Sequence, residues 1–159
     1  MHKFDFEKAG RAYVPIFIKP FDKTTLLKLF FKVDTGADTS TISKQDLVSL
    51  GYTLDWIHEN VIIFEEKDKP ETASGEKVDA GFIQIPLLNI LGYEGRYWPF
   101  QIILDENRDY RNLLGRDLLS GFNYWFNNVE DYIELERVPC FKARYTFLPK
   151  QEIHEIISQ

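Results

Sequence analysis

The run Leu29-Phe30-Phe31-Lys32-Val33 stops abruptly at Asp34-Thr35-Gly36-Ala37-Asp38-Thr39-Ser40. An apolar strand that gives way to a carboxylate and then to small residues leaves few options. Gly36 lets the backbone turn where a side chain would clash. Asp34 and Thr35 are types that hydrogen-bond nearby main chain. Ser43 follows as an N-cap, with Asp46 in capping-box position, and Gly51 ends the short helix so begun. The stretch reads as strand, tight loop and helix, with Asp34 held at a strand end.

Around that unit the chain alternates short apolar runs with turns. Strands are expected at Tyr13–Pro20 (Pro15 marking an edge or bulge), Thr25–Val33, Asp55–Phe64, Val78–Leu88 and Tyr97–Leu104. Asn89–Gly95, with two glycines, reads as a turn, and Asp105–Arg111 as a polar loop. Leu114–Ser120 reads as a short helix closed by Gly121. Phe122–Phe126 and Tyr132–Glu136 form a hairpin whose second strand points Ile133 and Leu135 one way and Glu134 and Glu136 the other. The charge run Glu65–Glu71 reads as a solvated loop, Ala73-Ser74-Gly75-Glu76 as a hairpin tip, and Gln151–Ser158 as a helix. The sum is a mostly β domain with one or two short helices. The 159 residues suit one domain: an N-terminal tail over 1–11, whose charged residues 1–10 are either loose or tied down by a partner, the domain over 12–138 and an extension over 139–159.

A net charge of −6 argues against a nucleic-acid binder or a ligand of anionic membranes, though a local basic patch is compatible with it. One cysteine, Cys140, and three scattered histidines give no metal-ligand spacing, so neither metal nor cofactor is expected. The first residues lack the apolar core of a signal peptide, and no apolar run is long enough to span a bilayer. The expected location is the cytoplasm.

Val33-Asp34-Thr35-Gly36-Ala37-Asp38-Thr39 resembles the active-site loop of retropepsin-like (retroviral-type) aspartic proteases. Asn112-Leu113-Leu114-Gly115-Arg116-Asp117 is similar to the apolar-apolar-Gly-Arg segment of that family, and Thr72-Ala73-Ser74-Gly75-Glu76 to the flap tip of bacterial members. The resemblance implies a closed β-barrel and an aspartic endopeptidase acting on peptide or protein substrates. Asp34 would be the catalytic carboxylate, in an active-site loop with Thr35, Gly36 and Ala37. Asp38 and Arg116 would form an ion pair shielded from solvent. Ala73, Ser74 and Gly75 would belong to a flap over the substrate.

Two carboxylates sharing one proton can both activate water and protonate a carbonyl. The chain has one Asp-Thr-Gly, and Asp79-Ala80-Gly81 lacks the Thr and lies in an expected strand. The second carboxylate is therefore expected from Asp34 of another copy, across a two-fold axis. The N-terminal segment and residues 131–148, which include the aromatic stretch Arg137–Phe147, are the expected interface.

The alternative is a catalytically inactive module of the same fold that dimerises or binds peptides. A phosphate-loop reading of 33–40 needs two large lobes, for which the chain is too short, and no Walker-type Gly-Lys-Ser/Thr occurs. Cys140, behind Pro139 and without a nearby His, is a poor nucleophile.

Overall fold

A computed structural model describes residues 1–72, 74–105 and 111–139. Ala73, most of the loop expected over 105–111, Cys140, the aromatic stretch from Phe141 and the helix expected over 151–158 lie outside them.

In chain order the elements are β1 (His2–Asp5), β2 (Tyr13–Ile18), β3 (Leu27–Val33), β4 (Thr41–Ile42), α1 (Lys44–Ser49), α2 (Leu54–Asn60) and β5 (Ile62–Ile63). A 3-10 turn at Glu66–Asp68 precedes β6 (Ala80–Ile90), β7 (Tyr93–Ile103), β8 (Leu113–Leu114), α3 (Arg116–Leu119), β9 (Phe122–Asn127) and β10 (Tyr132–Arg137). One sheet has the order β2-β3-β8-β4-β7-β6-β5, and β2 also pairs with β6. The ring β2-β3-β8-β4-β7-β6 is thus a closed barrel, mostly β as expected, with β5 attached outside it. Closure removes the free edges an open sheet would leave.

The barrel core follows from period-two alternation. Val14, Ile16 and Ile18 of β2 point inward with Phe31 of β3, Ile83 and Ile85 of β6, and Phe100 and Ile102 of β7, all fully buried. The Phe31 and Phe100 rings meet at 5.6 Å. A second sheet, β1-β10-β9, buries Ile133 and Leu135 against the same core.

Four expectations need correction. First, Asp55–Phe64 is not one strand. Thr53 caps α2 by accepting a bond from the Trp56 amide, Ile57 is buried, and only Ile62 and Ile63 pair with β6. The β-branched run Val61-Ile62-Ile63 obscured the helical spacing of Leu54, Ile57 and Val61. α2 is thus a short helix at a place where a strand was expected.

Second, the turn expected over Asn89–Gly95 shrinks to Leu91 and Gly92, both with positive φ (48° and 93°), and strands run on either side. Gly95 lies inside β7, where a Cβ would press Leu88 Cγ at 3.2 Å. Third, Leu114 belongs to β8, and α3 begins only at Arg116. Fourth, the tail expected over 1–11 holds β1, paired antiparallel to β10 from His2↔Leu135 to Asp5↔Tyr132. Phe4 and Phe6 pack on the core from this segment, and the Phe6 and Phe126 rings lie 6.2 Å apart. That partner is 130 residues away in sequence, beyond any local pattern.

Candidate active site

The end of β3 is fastened on both sides before Asp34 is reached. The Val33 amide donates to the Ala12 carbonyl at 2.9 Å, and the Asp34 amide donates to the Leu114 carbonyl at 3.0 Å. Asp34, half-buried, then turns the chain itself. Its Oδ1 accepts the Gly36 amide at 3.0 Å, and its carbonyl accepts the Ala37 amide at 3.2 Å. The carboxylate is therefore oriented by its own loop. A Cβ on Gly36 would stand 3.3 Å from that Oδ1. Thr35 and Gly36 are exposed beside it, and Ala37 is half-buried.

The second anchor closes on this loop from behind. The Arg116 amide donates to the Ala37 carbonyl at 2.8 Å, and the Asp117 amide to the Asp38 carbonyl at 3.2 Å. Gly115 sits so close that a Cβ would lie 2.7 Å from Thr39 C, 2.8 Å from Thr39 O and 2.9 Å from Ala37 O. Its φ of −93° suits any residue. Gly115 is thus demanded by space, not by backbone conformation.

Asp38 and Arg116 form an ion pair, Nη2 to Oδ1. The expectation that solvent would be excluded from it does not hold: the two side chains are 80% and 59% exposed. Both lie on the outer side of the loop, so water screens the pair and its contribution to stability is small.

The buried bond was missed in the sequence. Ser40 is fully buried, and its hydroxyl donates to Asp117 Oδ1 at 2.6 Å. The Ser40 amide at 3.0 Å and the Leu118 amide at 2.8 Å donate to the same oxygen. The Gly115 amide in turn donates to Ser40 Oγ at 3.0 Å. Burial pushes the Asp117 carboxyl above the usual carboxylate range, while the Ser40 hydroxyl and amide, the Leu118 amide and the Trp98 indole pull the other way. A serine just after the loop and an aspartate just after the Gly-Arg pair were the available signals. Nothing local says that residues 77 apart will meet.

Asn112 adds another tie. Its Oδ1 accepts the Ser43 amide at 2.7 Å, and its Nδ2 donates to Asp46. Ser43 caps α1 as expected, but the reciprocal half of the capping box goes to Asn112. One short segment, 112–118, thereby holds β3, the Asp34 loop and α1 together.

Residues 71–72 and 74–77 form the arms of a tight hairpin, with Glu71 bridged to Lys77 and the Thr72 amide donating to the Glu76 carbonyl at 2.8 Å. Gly75 supplies a φ of +82°, its amide donates to the Thr72 carbonyl at 2.9 Å, and Ser74 Oγ lies 2.9 Å from Thr72 Oγ1. At the base, Lys69 bonds both Asp79 at 2.7 Å and Glu66 at 2.9 Å, which raises its pKa to about 12. A cleft of about 200 Å³ opens between Pro70, Thr72 and Val78 of this hairpin and Thr41, Gln101 and Leu113 of the barrel, with Arg111 also lining it. Asp34 does not line it. Asp34, Thr35, Gly36, Ala37, Asp38 and Arg116 therefore form one unit, while Ser74 and Gly75 stand on a separate hairpin.

No family model matches the chain, and no curated protein matches it. Solved structures do. A retropepsin-like aspartic protease from Rickettsia conorii superposes with a TM-score of 0.56 at 22% identity, over 84% of this chain and 88% of that one. The retroviral protease-like domain of Ddi1 from Leishmania major gives 0.46 at 18% identity, over 88% and 95%. The EIAV protease, complexed with the inhibitor HBY-793, gives 0.44 at 18% identity, over 69% and 86%. The Rickettsia likeness, spanning most of both chains, shows that this chain has the retropepsin-like fold. Among the described residues no helix is long and apolar enough to cross a membrane.

Proposed function

We propose that the chain is an aspartic endopeptidase that acts as a homodimer, with Asp34 of each copy forming one catalytic dyad. The observation that carries this reading is the Asp34 loop. Its carboxylate is oriented by the Gly36 amide, and its backbone is bonded to Leu114 and Arg116 of the second anchor. A carboxylate held this way keeps its geometry when a second one is brought close.

Two such groups about 3 Å apart cannot both ionise, so the pair holds one proton. The ionised Asp34 takes a proton from water as the water oxygen bonds to the peptide carbonyl carbon. The protonated Asp34 on the other copy gives its proton to the carbonyl oxygen. The tetrahedral diol then collapses: the C–N bond breaks, the amine leaves with a proton from the dyad, and a hydroxyl proton returns to it. The pKa values belong to the pair. Thr35 and Gly36, exposed at the loop, border the substrate and the partner copy in this reading. The 71–77 hairpin acts as the flap that excludes water. Among the described residues nothing pairs with the outer edges of β1 and β9 in the β1-β10-β9 sheet, and Trp125 on β9 is half-exposed, which suits an interface between copies.

The test is a peptide-library cleavage profile of the full chain and of Asp34→Asn. The expected outcome is hydrolysis by the wild type and loss of about a hundred- to ten-thousand-fold in the variant, the scale of acid–base assistance. Specific activity should fall on dilution near the dimer dissociation constant. A variant retaining a tenth of wild-type turnover, or a fully active monomer in sedimentation, would overturn the reading.

A further inference from the structure

One face of the barrel has a composition that the proposed catalysis leaves unused. In the β2–β3 ladder the pairs Val14↔Phe31 and Ile16↔Leu29 point inward. The alternate pairs, Tyr13↔Lys32, Pro15↔Phe30 and Phe17↔Lys28, point outward. That outward face joins three aromatic rings and one proline to two lysines, and none of its six side chains is acidic. Phe30 is 57% and Phe17 37% exposed. Lys28 Nζ lies 5.5 Å from the Phe30 ring centroid. At the upper end, Arg111 Nη1 approaches the Tyr13 hydroxyl at 3.4 Å, and Arg111 also lines the cleft under the hairpin. Arg111 thus borders both the cleft and the end of the ladder face.

We propose that the outward face of β2–β3 is an exosite that docks an extended segment of a protein substrate bearing acidic and aromatic residues, alongside the cleft. The inference rests on the protease reading for its word "substrate". The rows repeat every second residue, the period of an extended peptide. Lys28, Lys32 and Arg111 would pair with carboxylates, and Phe17 and Phe30 would cover rings or aliphatic side chains.

Two other occupants fit less well. A nucleic acid would be repelled at range by a chain of net charge −6, whereas a few carboxylates on a peptide are felt within a Debye length of about 8–10 Å. A second copy would have to offer a row of acidic groups, but its Glu65 and Glu66 already pair with Lys67 and Lys69, and Glu134 stands opposite Lys3 in the β1–β10 register.

The test reads binding apart from hydrolysis. The full-length Asp34→Asn protein is titrated against a labelled peptide alternating Glu with Tyr and Phe, its Lys-for-Glu counterpart, and labelled oligo(dT). In a second arm the acidic segment is appended to a peptide that the wild type cleaves. The acidic peptide should bind in a salt-sensitive manner. Lys28→Glu/Lys32→Glu should weaken it by about tenfold, and Lys28→Gln/Lys32→Gln by less in the same direction. Circular dichroism would verify that both variants stay folded. The appended segment should lower KM with kcat unchanged, an advantage that the double variants lose while still cleaving the unflanked peptide.

Equal binding of the acidic and basic peptides, or binding indifferent to both double variants, would overturn the exosite. So would oligo(dT) binding through these lysines without peptide binding. Binding through Lys28 and Lys32 with no peptide cleaved by the wild type would instead remove the protease reading and leave the docking face standing.

Discussion

Replacing Gly115 by alanine isolates what the close approach of the two anchors is worth. Alanine accepts a φ of −93° freely, so no backbone strain enters. Loss of glycine even favours the variant by about 0.4–1 kcal/mol through the unfolded chain. Against this stands the space. The new Cβ would meet Thr39 C, Thr39 O and Ala37 O at 2.7, 2.8 and 2.9 Å. Comfortable carbon contacts lie at about 3.5–4.0 Å, so the loop must retreat by roughly half an ångström or more. All three atoms are backbone, and Ala37 O and Thr39 lie between Asp34 and the buried Ser40, so no side chain can swing aside.

Overpacking of this kind costs about 1–3 kcal/mol. For a chain of this size, about 2–4 °C of melting temperature corresponds to each kcal/mol, so a net fall of a few degrees is expected. The retreat carries Asp34 with it. A misplacement of about 1 Å can cost on the order of a hundredfold in rate, so activity should fall further than stability alone explains. Differential scanning calorimetry and peptide hydrolysis, measured on the same samples well below the transition, separate the two effects. A Gly115→Ala protein that melts at or above wild type would refute the steric argument.

The remaining predictions concern charge. Burial raises the Asp117 carboxyl, so the folded chain holds this proton more tightly than the unfolded chain does. Ionisation therefore costs stability: not at all below the unfolded carboxyl range, and fully above the folded one. The stability of Asp117→Asn relative to wild type should rise as pH climbs from acid to neutral, and a pH-independent difference in urea titrations would refute this. Because Asp38 and Arg116 are largely exposed, Arg116→Gln or Asp38→Asn should cost under about 1 kcal/mol, and a loss of several kcal/mol would mean that the pair is shielded after all. Lys69 clamps Glu66 and Asp79 at the base of the hairpin, so Lys69→Met should speed amide exchange across 70–78 while leaving β6 and β7 protected. Unchanged exchange there would show that the turn alone holds the hairpin.

What was legible in the sequence is what short-range chemistry dictates. Asp34-Thr35-Gly36 announced a loop because its residues bond to one another, and the Gly36 amide on Asp34 Oδ1 is such a bond. Ser43 announced a helix start for the same reason. The longer barrel strands β2, β3, β6 and β7 were legible from alternation, which needs only a buried side, whereas the two-residue strands β4 and β8 are too short to show any period. The misses share a cause. β1 does not show as a strand in the N-terminal tail because its partner, β10, lies at the far end of the chain. The Asp38–Arg116 pair was expected in a dry setting because charge complementarity says who meets whom, not what packs outside them.

The more consequential miss concerns what holds Asp34 still. The Asp38–Arg116 pair is exposed, whereas a more buried tie runs from Ser40 through Asp117 Oδ1, with Gly115 donating back to the serine. A screened pair yields to salt, whereas a buried carboxylate with three donors does not. Loop rigidity should therefore be insensitive to ionic strength and sensitive to anything that disturbs Ser40. On this account Ser40→Ala, which deletes both the donor to Asp117 and the acceptor for Gly115, damages the site more than Arg116→Gln does, although Arg116 carries the charge that drew attention to it.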